Sequence, residues 1–526
     1  MYDAIVVGGG HNGLTASAYL GKAGKKVLVL ERRHLVGGAA VTEEFHPGYR
    51  NSMASYVVSL LRPEIVRDLE LERHGYRTIP LNSTFGPMLD GRYSLLTGDE
   101  ENDRREIGKF SNRDYDAMQR FNAMLSEVGA VIRKQMLRPP PRLAGGGVAD
   151  MFDLLRLGNA ARKLSPDLRH RMMQLFTTSI GDILDRWFDS EVVKIKYASS
   201  ATAGGFYSLH APGSAINLLH LSVGEVGGVK GAWAFVKGGM GAISEAIASA
   251  AREAGVEIRT NAAVERIVVR NGRAVGVRLE GGEEISARVV LANTDPKRTF
   301  LKLVGREHLD EDFAADIAAL RQESATVRMN LALGGVPNFT ALPSDGVGPQ
   351  HRSFIRMIPS LADIEAAYVA AKRGEIPPVP IVTAVMPSTV DDSLAPPGHH
   401  VMGLLCQHYP YRLSGGRSWD DLRETVADQV IDHIARYAPN IRDILVHRQI
   451  YTPLDLERVF GLTGGDVYHA QLDLNQLFSL RPHPRAARYA TPIVGLYLCG
   501  AGAHPGGGVS GAPGHNCAKV VLKDLR

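Results

Sequence analysis

An α/β fold of two interleaved units is predicted by three observations. An apolar strand runs into a glycine turn and a helix within the first 20 residues. A second glycine pair follows almost at once, and a very glycine-rich segment precedes a helix close to the C-terminus. With 526 residues the chain exceeds the usual size of one core, and 44% hydrophobic residues can fill two.

The first strand is Ala4 to Val7, suited to a buried parallel sheet. Gly8-x-Gly10-x-x-Gly13 follows, with His11 and Asn12 inside the turn, and Leu14 to Leu20 reads as a helix. Gly8 permits the tight turn, Gly10 lets the backbone approach a pyrophosphate, and Gly13 lets the helix pack on the strand. The helix N-terminus presents N–H groups to negative charge. A second strand, Lys26 to Leu30, delivers Glu31, whose carboxylate can accept hydrogen bonds from ribose hydroxyls and disfavours a 2′-phosphate. A motif of this kind serves NAD or FAD, and the later segments favour FAD. Arg32 to Ala39 contains Gly37 and Gly38, where the main chain can run close to a ligand whose phosphates face nearby cations. Gly495 to Gly514 reads as a strand, a loop and a helix over about His515 to Leu522. Its N–H groups, around Gly500, Ala501, Gly508, Gly511 and Ala512, suit the charge that develops on a reduced flavin.

These segments, with Lys237 to Gly241 and the block Gly255 to Pro296 containing Ala292-Asn293-Thr294-Asp295-Pro296, resemble the phytoene-desaturase-related branch of flavin oxidoreductases. That broad group also includes amine oxidases and retinol saturase. A narrower likeness inside the branch is carried by Ser55 to Pro63, Trp187-Phe188, Gly464-Gly465-Asp466 and Asp473 to Pro482. The resemblance implies a Rossmann-like, glutathione-reductase-type FAD-binding domain with an interleaved α+β substrate domain. It implies that Gly8, Gly10, Gly13, Glu31, Gly37 and Gly38 touch the AMP half and pyrophosphate, that Gly500 to Gly511 approach the flavin, and that Val264 makes a main-chain contact to adenine. Ala263 to Val269 is a good strand in any case, so a plain core role for Val264 reads equally well.

The FAD domain is expected from residues 1–80, 231–296 and 486–526, and the substrate domain from 81–230 and 297–485. A helix at Ala242 to Ala254 and strands around Val256, Val264 to Val269, Ala274 to Leu279 and Val289 to Leu291 belong to the former. Arg138 to Gly147 reads as an exposed Pro- and Gly-rich break. Between Arg133 and Arg171, nine Lys or Arg stand against three Asp, among apolar stretches. Lid helices around 133–176 are expected, with a helix lying on an anionic membrane surface as the alternative.

The sequence has no run of 18 apolar residues, and it enters its first core strand within a few residues of Met1, so neither a membrane-spanning helix nor a signal peptide is expected. A cytoplasmic protein follows, with peripheral contact at the inner face of a membrane as an option. Cys406, Cys499 and Cys517 are widely spaced without C-x-x-C, which supports no disulfide framework or redox dithiol. The 18 histidines are scattered, so no metal site is expected, and a net charge of +4 with no binding module argues against nucleic acid.

The function expected is an FAD-dependent dehydrogenase, desaturase, saturase or isomerase, moving hydride between flavin N5 and an apolar, polyene- or isoprenoid-like substrate. Outside the C-terminal loop, where Gly506 to Gly511 repeats the spacing, no second Gly-x-Gly-x-x-Gly occurs, so electrons are expected to pass to or from oxygen, a quinone or a visiting nicotinamide. Amine oxidation and a non-catalytic FAD-bound partner-binding protein are the alternatives. His504, inside the C-terminal loop, is the candidate nearest the flavin, as a polar contact or proton relay or as a loop histidine held by backbone. His210, His408, Tyr409, Tyr468 and His469 are further candidates without an identifying partner. Trp187, Phe188, Phe206 and Tyr207 line an apolar pocket or fill a core.

Overall fold

A computed structural model describes all residues except 143–151, 153, 154, 156, 157, 160, 161 and 324. Part of the Arg138 to Gly147 break and of the apolar stretch from Met151 lies outside the described residues. The first sheet has seven strands in the order Glu257–Arg259, Val27–Leu30, Tyr2–Val7, Glu284–Ala292, Arg273–Leu279 and Val264–Arg270, with Leu496–Leu498 beside Glu284–Ala292. The strand Glu284–Ala292 serves two partners in turn. Its first residues pair antiparallel with Arg273–Leu279, and Val290 to Ala292 lie parallel to both Tyr2–Val7 and Leu496–Leu498. Ala4 to Val7 and Val27–Leu30 are continuous apolar runs because both faces are covered.

Register sets the cofactor edge. Arg259, Leu30, Val7, Ala292 and Leu498 lie in one row across five parallel strands, so the loops leaving their carboxyl ends open together. The helix His11–Lys22 packs against both Gly241–Glu253 and Ala512–Asp524 beside this sheet. Their approach is set by small residues: a Cβ at Gly514 would lie 2.0 Å from the Asn12 carbonyl oxygen.

A second seven-stranded sheet runs in the order Leu445–Tyr451, Thr326–Leu333, His400–Gln407, Ile381–Val385, Phe354–Met357, Thr84–Pro87 and Tyr93–Leu96. Only the Phe354–Met357 to Thr84–Pro87 pairing is parallel. Val327, Met329, Leu331 and Leu333 pack with residues of the helix Trp419–Ala435, such as Val430 and Ile434. The pleat therefore sends Thr326, Arg328 and Asn330 to the opposite face.

A third core joins helices such as Asp114–Met136, Ile180–Trp187 and Glu191–Ala201 around Phe121, whose ring is met edge-on by Phe188 and Tyr197. Phe188 is thus a core residue. The segment following Pro296, expected in the substrate domain, instead sends Phe300, Leu303, Phe313 and Ile317 into the core of the first sheet. Among the described residues no helix is long and apolar enough to cross a membrane.

The Gly514 contact yields a test. Gly514→Ala forces the Ala512–Asp524 helix off the His11–Lys22 helix, and a loss of about 1–3 kcal/mol is expected for this overpacking. Urea unfolding of the holoprotein measures it; unchanged stability would show that the two helices can part freely.

Candidate functional site

One cavity of about 1130 Å³ runs from the edge of the first sheet to the second. Its first end is built by glycines. Gly8 holds φ +99° and its carbonyl accepts from the Asn293 side-chain amide at 3.1 Å. A Cβ at Gly10 would lie 2.8 Å from that amide nitrogen, and one at Gly13 would lie 2.4 Å from the Gly8 oxygen. The Gly37 N–H donates to the Gly9 carbonyl at 2.8 Å, laying the second glycine pair along the first turn.

Glu31 follows the second strand and is buried. Its Oε2 accepts from the Gly9 N–H at 2.8 Å and its Oε1 from the Arg33 N–H at 2.9 Å. A carboxylate has about four acceptor positions, so both oxygens keep capacity for ribose hydroxyls. Arg32 donates to the carbonyls of Arg458 and Val459 at the end of the helix Pro453–Phe460. Ala262, Ala263, Val264 and Glu280 complete this wall.

The first helix has Gly10 as its N-cap, with no side-chain cap and no acidic residue in its first turn. Its leading N–H groups therefore carry uncompensated positive potential toward the cavity. Beside them, His11 Nε2 and Asn12 Oδ1 are buried and unpartnered. A glycine cradle, a bare helix N-terminus, orphaned polar atoms and a buried carboxylate at the far end form the donor and acceptor set that an adenine dinucleotide needs.

The C-terminal loop closes the cradle from the other side. A Cβ at Gly500 would lie 2.6 Å from the Asn293 carbonyl oxygen, and one at Gly508 would lie 2.4 Å from Leu60 Cδ1. Gly511, at φ +70°, starts the helix Ala512–Asp524. The His11 imidazole bonds the Gly508 backbone, and burial holds its pKa down at about 4. Among residues singled out in the sequence, Gly8, Gly10, His11, Asn12, Glu31, Arg32, Gly38, Ala39, Val264, Ala501 and Gly508 line the cavity. Gly13, Gly37, Gly500, Gly511 and Ala512 stand behind that wall and set its shape.

His504 does not reach the cavity. Its Nε2 lies 3.1 Å from the Gln135 carbonyl, and its own carbonyl accepts from the Tyr489 hydroxyl at 2.9 Å. Burial pushes its pKa down to about 4. Of the two readings of His504, the geometry supports the loop histidine held by backbone. Of the other candidates, Tyr468 and His469 line the cavity, whereas His408 and Tyr409 are buried apart from it.

Several lining residues carried no signal in the glycine motifs. Asn293 ties the cradle to the strand Glu284–Ala292. Tyr56, Lys196, Arg328 and Arg356 meet at the end formed by the second sheet. A sign of this was present in Thr326–Leu333, where an arginine interrupts a strand that is buried throughout. The cavity is also lined by Leu60, Leu81, Met118, Leu125, Tyr197 and Trp233.

Two measurements test this site. Glu31→Ala removes charge-assisted hydrogen bonds, so FAD dissociation should rise by about 10- to 150-fold, equivalent to about 1.5–3 kcal/mol. Unchanged flavin retention in that variant and in Glu31→Gln would refute the ribose assignment. Asp466, in the wall segment that carries Tyr468, is buried and pushed up to about 7 by that burial, against the Tyr468 N–H and Arg481. The unfolded carboxyl titrates near 3.9. The folded state thus holds the proton more tightly, and this stability is present below about pH 4 and lost as pH rises through about 7. Denaturant unfolding at several pH values should show that decline in the wild type and a flatter profile in Asp466→Asn.

Residues 13–298 match the family described as flavin containing amine oxidoreductase. The "Pyridine nucleotide-disulfide oxidoreductase domain-containing protein 2" of Rattus norvegicus is 41% identical over 546 residues, spanning 100% of this chain and 94% of that protein. In this chain Cys406, Cys499 and Cys517 are buried free thiols, none spaced as a dithiol. "Phytoene desaturase (lycopene-forming)" of Pseudescherichia vulneris is 26% identical across 100% of both chains. Putrescine oxidase bound to putrescine shares the fold, with a TM-score of 0.62 at 16% identity over 100% of this chain and 98% of that one. The cradle and these matches agree on the cofactor, and the chain belongs to the flavin containing amine oxidoreductase family, with FAD as its cofactor.

Proposed function

We propose that this protein is an FAD-dependent dehydrogenase, desaturase, saturase or isomerase whose substrate has an apolar, isoprenoid-like body. The observation that carries the reading is the wall beyond the cradle, where Leu60, Leu81, Met118, Leu125 and Trp233 border the same cavity as the cofactor loops. Such a wall releases water from an apolar molecule and holds it beside the glycine loop. The phytoene desaturase likeness supports the same substrate class.

Bound FAD accepts or supplies hydride at its N5, so the protein needs no dedicated acid–base pair. The chain's own part is to place the substrate and exclude solvent. The His11 and His220 imidazoles in the wall have pKa values near 4 because of burial, and both are neutral at physiological pH. Neutral imidazoles offer hydrogen bonds without adding charge beside the reacting carbon. Oxygen, a quinone or a visiting nicotinamide completes the electron transfer.

Family membership favours amine oxidation as a second reading. The cavity's electrostatics favour it less. Lys196, Arg328 and Arg356 all line the cavity, and an incoming ammonium would meet their repulsion. Exposed Phe152, Leu155 and Met173 near the basic segment support uptake of an apolar substrate at a membrane surface, with the protein in peripheral contact.

Anaerobic mixing with isoprenoid and polyene compounds tests the proposal. At least one should bleach the visible flavin band, while a panel of primary and secondary amines should neither bleach it nor yield hydrogen peroxide in air. Rapid bleaching by an amine, with none by the apolar set, would overturn this reading in favour of amine oxidation.

A further inference from the structure

The register of the second sheet gathers two arginines over one face. Arg356 pairs with Thr383, Thr383 with Leu405, and Leu405 with Arg328, so all four residues lie in one row across adjacent strands. Residues in such a row point to the same side of the sheet. All four line the cavity. Tyr56 lies between the guanidiniums: the Arg328 group sits 4.8 Å from its ring centre, and both arginines act electrostatically on its hydroxyl.

Neither guanidinium is satisfied by the protein. Arg328 is 1% exposed and donates through Nη1 to the Leu404 carbonyl at 2.7 Å, while its Nε and Nη2 are buried without a hydrogen-bond partner. Arg356 bonds the hydroxyls of Ser199 and Ser200 at 3.2 and 3.0 Å, and its Nη1 is buried and unpartnered. Among the described residues no carboxylate pairs with either arginine or with Lys196.

The acids that share this part of the cavity are engaged elsewhere. Asp103 acts on Lys196 from a distance, but its oxygens accept from the Thr97 and Gly98 N–H groups at 2.8 and 3.1 Å. Glu100 is exposed and lies 3.6 Å from Arg104. Burial lowers both arginines to about 10 and Lys196 to about 8, so all three remain largely protonated at neutral pH.

Burying cations without counter-charge is strongly unfavourable, and here two of them turn unpartnered N–H groups toward one cavity, which is the arrangement an anion would complete. Arginine presents a planar fork suited to carboxylate and phosphate oxygens. We propose that the substrate carries an anionic oxygen group, a carboxylate or a phosphate, which Arg328 and Arg356 bind at the second-sheet end of the cavity with Lys196 as the third cation. The inference rests on the reading of this cavity as the chamber for an apolar substrate, and it makes that substrate amphipathic. The anionic head docks on the sheet, and the apolar body extends back toward the glycine loop.

The test is a titration of the purified holoprotein with farnesol, farnesoate and farnesyl monophosphate, followed by perturbation of the visible flavin spectrum. At least one anion should bind ten times tighter than the alcohol or better. Arg356→Gln and Lys196→Gln should cut that preference by at least tenfold, with the loss falling on the anion far more than on farnesol. Arg328→Gln should do the same where flavin content shows that it has folded; Arg356→Gln decides if it has not. If the alcohol binds as tightly as both anions, the chamber reading stands and the anion proposal falls. If an anion preference survives both the Arg356 and Lys196 substitutions, these cations are not its receptor and the proposal again falls. Silence from all three compounds overturns the chamber reading and the anion proposal together. Among successful outcomes, preference for farnesoate identifies a carboxylate head and preference for the monophosphate a phosphate head.

Discussion

Alignment of the carboxyl ends of five parallel strands is the constraint on which the rest of this molecule depends. Arg259, Leu30, Val7, Ala292 and Leu498 stand in one row, so the chain leaves the sheet from several strands at a single level. Gly8, Glu31 and Asn293 are the residues that follow three of these ends, and each is placed by its strand more than by its own loop. An open parallel sheet binds ligands at such an edge, because that is where loops part and helix N-termini point inward. The hydrogen bond from Asn293 to the Gly8 carbonyl ties two of these exits together. Gly10 and Gly13 lack side chains because Asn293 and the Gly8 oxygen already occupy that space.

Charge divides the cavity into two ends that recognise different things. At the first, recognition comes from backbone N–H groups, a bare helix terminus and one carboxylate held by two N–H donors. At the second it comes from arginine side chains across a sheet row. The imidazoles of His11, beside that helix terminus, and of His220, elsewhere in the wall, are kept neutral by burial. Cations line both ends, with Arg32 and Arg298 on the nucleotide side and Arg328 and Arg356 on the second sheet.

The nucleotide half of this site is legible in the sequence because its requirements are local. A strand, three glycines at fixed spacing, a helix and an acidic residue after the next strand each follow from a few consecutive residues. The substrate half is not local. Arg328 and Arg356 sit on separate strands, with residues of two other strands between them in the row, and only sheet order makes them neighbours. The alternation of Val327, Met329 and Leu331 with Thr326, Arg328 and Asn330 marks a two-faced strand, but does not say what the polar face meets. His504 is open between two readings in the sequence, since membership of a glycine loop does not tell whether a side chain faces the ligand or the scaffold behind it. The helices after Pro296 differ from expectation for a similar reason: Phe300 and Phe313 are apolar enough for either core, and chain geometry sends them to the first.

Arg481 connects the two halves mechanically. It is fully buried and donates to the carbonyl oxygens of Ala501, Tyr468, Ala470, Gln471 and Gln476. Ala501 belongs to the cofactor loop, and the other four to the segment that carries Tyr468 and His469 into the cavity wall. Five carbonyls around one planar cation make a rigid joint, because the guanidinium fork fixes direction as well as distance. Gly507 joins the two from the other side: a side chain there would strike Tyr468, so the loop and the wall are already in contact. Loss of order in the 468–476 segment would therefore loosen the loop around Ala501 as well. The cofactor cradle and the substrate wall behave as one assembled surface, although the chain builds them from distant segments.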